Sequence, residues 1–78
     1  MVNELKDGEI ESIKRIYKES TPEGNGAINP TSYYDMNNGK IAIVTEAKRE
    51  ENEDCVLQDT FQHNDSKIYI YIAKEKSN

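Results

Sequence analysis

A single cysteine, Cys55, leaves the 78-residue chain without a partner for an intramolecular disulfide, and it argues for a reducing compartment. Histidine is equally scarce. His63 stands alone, so no Cys/His cluster is available to hold a structural metal. Long apolar runs are missing as well: the longest, Ile68 to Ala73, is far short of the roughly 20 residues that cross a bilayer. The first residues, Met1 to Asp7, are charged and lack the apolar centre of a secretory signal, so a cytoplasmic chain with no membrane contact is expected. A basic stripe is absent too. Fifteen acids against ten bases give a net charge of −5, which disfavours direct binding to nucleic-acid phosphate. The same charge suits docking on a basic surface.

Large aliphatic residues are few. Leu, Ile, Val and Phe make up fifteen of the 78 positions, near the ~20% level below which disorder becomes plausible. Five tyrosines and a periodic clustering of the apolar residues argue for a folded chain, with residues 1–78 forming a single small domain. A thin core with neither disulfide nor metal points to buried surface shared with a partner or a second copy.

From Glu4 to Glu19 the apolar spacing is helical. Ile10, Ile13 and Tyr17 form the stripe and Leu5 and Ile16 flank it. Asn3 or Asp7 can cap the start, acids gather in the first turns, and Pro22 ends the helix. Residues 20–31 read as a loop whose Ile28 is expected to pin it to the core. The remainder alternates with period two, giving strands over about 31–36, 40–48, 55–62 and 67–74. Asn37-Asn38-Gly39 is a hairpin signal, and His63-Asn64-Asp65-Ser66 marks a second turn. The expected fold is α+β: one N-terminal helix packed on a four-stranded, mainly antiparallel meander. Its core face is assigned Ile41, Ile43, Leu57, Phe61, Ile68, Ile70 and Ile72. Asp59 falls on that face and requires a bulge or a strand end.

Catalysis finds no support in the residues, and no cofactor motif is present. Cys55 and His63 lie at opposite ends of one strand, roughly 25 Å apart at about 3.3 Å per residue, so they cannot form a nucleophile–base pair. Cys55 reads as a small core residue and His63 as a turn residue. No EF-hand fits around Gly39, because Tyr34 occupies the position where the calcium loop needs an acid. Gly24-Asn25-Gly26 lacks the lysine of a phosphate loop.

The tyrosines carry the functional expectation. Tyr69 and Tyr71 alternate with the isoleucines and so face away from the helix, with Ala42, Val44, Val56 and one of Tyr33 or Tyr34 beside them. A lone helix cannot cover both faces of a sheet, which leaves aromatic area for a partner. The residues expected to engage it are Tyr33, Tyr34, Asp35, Glu50, Glu51, Glu53, Asp54, Tyr69 and Tyr71. The expected function is an acidic protein-binding module, an inhibitor or regulator of the phage or mobile-element kind. Its partner would be a nucleic-acid-handling protein with a basic surface. The lysine-, isoleucine- and asparagine-rich usage of an AT-rich genome suits that origin. The competing expectation is a homodimer formed through the tyrosine face or the last strand, whose Ile-Tyr-Ile-Tyr-Ile run would be an unprotected edge in a meander.

Overall fold

Helix α1 spans Asp7–Ser20 in the computed structural model, which describes residues 4–24, 26–36 and 39–74. Lys6 occupies the N-cap position, one residue before Asp7; Asn3, the other expected cap, lies outside the described residues. The Lys6 N–H donates to the Glu9 carboxylate at 2.9 Å, which satisfies one of the amides that a helix start leaves open. Asp7 and Glu9 in the first turn and Lys18 in the last complement the helix dipole. Ile10, Ile13 and Tyr17 form the buried face, as their spacing predicts.

Four strands follow: β1 (Ser32–Asp35), β2 (Lys40–Thr45), β3 (Cys55–His63) and β4 (Ser66–Lys74). They form one antiparallel sheet with the order β1-β2-β4-β3. The expected helix on a four-stranded antiparallel sheet is present, but the strands do not run as a meander. β4 inserts between β2 and β3, so the Ile-Tyr-Ile-Tyr-Ile strand is hydrogen-bonded on both sides and is central rather than an edge. The physical reason lies in its composition. Ile68, Ile70, Tyr71 and Ile72 are almost wholly buried, and only an inner strand can bury both faces of such a run.

The two turns follow their residues. Gly39 has φ +73°, and the Met36 N–H donates to the Lys40 carbonyl at 3.0 Å to close the β1–β2 hairpin. The Asn37-Asn38 part of that signal lies outside the described residues. Asn64 and Asp65 join β3 to β4 with φ +50° and +61°, the positive pair that a two-residue type I′ turn requires.

Register overturns the expected face assignment on β2. Ala42 pairs with both Tyr34 and Ile72, and Val44 with Ile70, so Ala42 and Val44 lie under the helix. Ile43 pairs with Tyr71 and shares the opposite face, together with Ile41. All four residues are apolar, so β2 looks the same in either orientation, and its pairing with β4 decided between them. On β3 the register slips between Leu57 and Asp59, the bulge that the Asp59 misfit requires. It divides the expected set. Val56 and Phe61 pack against the helix-side core, while Leu57 pairs with Tyr71 on the outer face.

The core under the helix comprises Leu5, Ile10, Ile13, Tyr17, Ala42, Val44, Ile68, Ile70 and Ile72. Helix α1 leans toward β3. Leu5 N–H donates to Gln58 Oε1 at 2.7 Å, Lys14 meets Asp59 at 2.8 Å, and the Tyr17 and Phe61 rings meet edge to face at 5.9 Å. A helix about 10 Å across covers two strands spaced about 4.8 Å apart, not four. The helix-side face over β1 is therefore left partly open.

Candidate protein-docking surfaces

The segment from Glu46 to Asp54 leaves β2 and turns back over the outer face of the sheet. Its anchor is Tyr71. The Arg49 N–H donates to the Tyr71 hydroxyl at 2.8 Å, and that hydroxyl donates in turn to the Arg49 carbonyl at 3.3 Å. Farther along, Asn52 and Cys55 exchange backbone hydrogen bonds of 3.0 and 3.2 Å, and the Lys74 N–H donates to the Asp54 carbonyl at 3.0 Å. The chain's own connector thus covers Tyr71 on the face that was expected to await a partner, while Ile41, Leu57 and Tyr69 on that face are half-buried.

This covering corrects the role of Tyr71. It is 1% exposed and holds the connector, so it cannot anchor a foreign surface. Tyr69 is half-buried, its ring stacked on Tyr71 at 6.2 Å, with the Lys67 ammonium 5.5 Å from the ring centroid. Tyr34 points to the helix side and packs against the core. Tyr33 alone among the expected tyrosines is broadly open, at 60% exposure. Its hydroxyl receives a 3.3 Å hydrogen bond from Arg49 Nη2, which ties it to the connector.

The expected acids remain exposed. Glu50, Glu51, Glu53 and Asp54 all lie on the connector surface, and Asp35 ends β1 at its own exposed position. Glu51 also serves the sheet, where its Oε1 accepts the Leu57 N–H at 2.9 Å on the outer edge of β3. The Asp59 carboxylate accepts the neighbouring Thr60 N–H at 2.8 Å and also holds the Lys14 ammonium. Each charge favours the other, so the Lys14 hydrogen bond lowers the Asp59 pKa and the Asp59 hydrogen bond raises that of Lys14.

Two surfaces escaped sequence reasoning. The first is a cleft of about 660 Å³ between α1 and β1, lined by Ile13 and Ile16 from the helix and Tyr34, Asp35 and Met36 from the strand. Ile16 is 45% exposed there. Its place off the central Ile10-Ile13-Tyr17 stripe was the only signal. The second is the anchoring of the 21–31 loop. Ile28, expected to pin it, is 80% exposed. Asn29 is buried instead and donates to the His63 carbonyl at 3.2 Å. Asn64 donates to Asn29 Oδ1 at 3.1 Å and accepts the Gly24 N–H at 3.2 Å. His63, expected in the turn, is the last residue of β3 and is buried beside Tyr17. Its Nε2 donates to the Thr21 carbonyl, which can only accept, and its Nδ1 lies 3.4 Å from the Glu23 carboxylate.

No known family, curated protein or solved structure matches this chain. Cys55, at the start of β3, and His63, at its end, remain at opposite ends of one strand, and Cys55 is half-buried. Among the described residues no group of three or more His, Cys, Asp or Glu could hold a metal ion, and no helix is long and apolar enough to cross a membrane.

Proposed function

We propose that this chain is a small acidic protein-binding module, an inhibitor or regulator that docks on a basic surface of its target. The observation that supports this reading is the connector. Its backbone is fastened at Arg49, Asn52 and Asp54, so the carboxylates of Glu50, Glu53 and Asp54 are presented from a fixed platform. Preorganised charge loses less entropy on binding than charge on a mobile loop. Tyr33, tied to the same platform through Arg49, adds an exposed aromatic ring. A nucleic-acid-handling protein is the natural class of target, since the surface that neutralises phosphate would also receive these carboxylates.

The test begins with recovery of the target from host extract and measurement of its affinity for the purified chain. Glu50, Glu53 and Asp54 are then replaced together by lysine. Glu51 is kept, because its carboxylate caps the β3 edge. Weaker binding and a flatter dependence on salt between about 0.05 and 0.3 M are expected. Unchanged affinity in the triple variant would remove the connector from the interface. The competing reading is a homodimer through the tyrosine face or the last strand; β4 is paired on both sides, so of these two routes edge pairing of the last strand is the one not open to it.

A further inference from the structure

Buried polar atoms in a folded chain nearly always find a hydrogen-bond partner, so each exception calls for an explanation. Among the described residues Thr21 Oγ1 and His63 Nδ1 are such exceptions, and both lie at one junction. There the C-cap of α1 and the start of the 21–31 loop meet the last residue of β3. His63 is 4% exposed, and its two ring nitrogens face two acceptors. Nε2 donates to the Thr21 carbonyl, at the negative end of the helix dipole. Nδ1 lies 3.4 Å from Glu23 Oε1, within ion-pair range but without a hydrogen bond. A neutral ring has one N–H, and the Thr21 carbonyl takes it. The side facing Glu23 is then acceptor against acceptor. A second proton on the ring supplies the missing donor and turns that contact into a charge-assisted hydrogen bond.

We propose that His63 is a proton-operated latch on the 21–31 loop. With the ring protonated, Glu23 is drawn onto Nδ1 and the start of the loop is held against the β3–β4 turn. With the ring neutral, Glu23 swings away and that stretch opens. The moving part suits this role: the Glu23 side chain is 73% exposed, and Gly24 beside it has open space around it. A polar recess of about 350 Å³, lined by Glu23, Gly24 and Ala27 on the loop and by Asn64 and Asp65 on the turn, is the space the movement uses. The Gly24 N–H, which donates to Asn64 at 3.2 Å, lies inside the moving stretch and reports its state. Farther along, the loop is fastened independently, since Asn29 donates to the His63 carbonyl and accepts from Asn64.

The charges around the ring are mainly acidic. Glu23 faces Nδ1 from the loop, Glu46 reaches in from the end of β2 through Asn29, and Asp65 lines the recess from the turn. From α1 come the Tyr17 ring, edge-on at 6.0 Å, and Lys18, whose ammonium lies over Phe61, two residues back along β3. β4 contributes Ser66, the register partner of His63, which carries no charge. Burial penalises a lone charge, so the proton on the ring and the carboxylate beside it arrive together. That coupling runs both ways: a closed loop holds the proton, and the proton holds the loop closed.

The latch needs no partner, so its test is independent of the docking reading. In the ¹⁵N-labelled chain the His63 ring and the Glu23 and Gly24 amides are followed by NMR between about pH 5 and 8, where histidine titrates and ordinary carboxylates stay ionised. Expected is one shared midpoint for the ring and both amides, with heteronuclear NOE values at Glu23 and Gly24 that fall as pH rises. Glu23→Ala should abolish this NOE step while the ring still titrates, and its exposed side chain leaves the fold intact. His63→Gln should abolish the step as well. Asp65→Asn alters the recess but not the latch and should keep it. An NOE step that survives in Glu23→Ala or disappears in Asp65→Asn would overturn the proposal. So would a ring that does not titrate in this range, a parent chain without the step, or a loop that tightens as pH rises.

Discussion

Tyr17 and Tyr71 show how one residue type acquires different roles from its surroundings. Tyr17 is fully buried and donates to the Pro30 carbonyl at 2.7 Å, which fastens the end of the loop to the helix. Tyr17→Phe should cost about 1–2 kcal/mol in urea unfolding, because the Pro30 carbonyl loses its partner. Burial raises the Tyr17 pKa above the ordinary phenol value, so the folded state holds the proton more tightly than the unfolded state does. The stability linked to this group is complete below about pH 10 and is lost as pH rises through the folded value. Tyr17→Phe should accordingly lose less stability than the parent as pH rises above about 10, read by urea titrations at successive pH values. Asp59 has the opposite sign. Its pKa is lowered by Lys14, so its contribution is present above about pH 4 and disappears as pH falls through the folded value. The Asp59 side chain is 40% exposed, and solvent screening keeps that contribution within about 1 kcal/mol. Asp59→Asn should be slightly less stable at neutral pH and lose less stability than the parent on acidification toward about pH 3, read by urea titrations across that range.

Elements reveal which connections are structural. Asn64 and Asp65 both have positive φ, yet their substitutions should act in opposite directions. Asp65→Gly relieves a left-handed residue and should raise the midpoint of thermal unfolding by a few degrees, on the order of 0.5–1 kcal/mol. Asn64→Ala keeps the strain and removes the side chain that holds Asn29 and Gly24. It should destabilise the fold by about 1–2 kcal/mol and open the 21–31 loop to limited proteolysis. Tyr71→Phe should release the connector: faster hydrogen exchange at the Arg49 amide, with the sheet amides of β4 unchanged, is the expected signature. If the Arg49 amide exchanges as slowly as before, the connector is fixed by something other than the hydroxyl.

At the scale of the molecule, the central place of β4 organises everything else. It puts β1 and β3 at the edges and leaves the connector between β2 and β3 to pass over the outer face. Much of this chain was legible from residue order alone. Helix and strand periodicity, the Pro22 helix stop and the misfit at Asp59 are local signals, set by backbone geometry within a few residues. So was the acidity of the connector, since exposed charge needs no partner to be recognised. The strand order, the orientation of β2, the burial of Tyr71 and the open cleft at Ile16 were not legible, because each depends on contacts between residues far apart in the chain. β2 is apolar on both faces, so its own pattern could not select one, and Tyr71 alternates as an outward residue whether or not a connector lies above it. Periodicity determined which residues belong together on an element, and tertiary packing decided what covers each face, because coverage is a property of neighbours that one element's sequence does not contain.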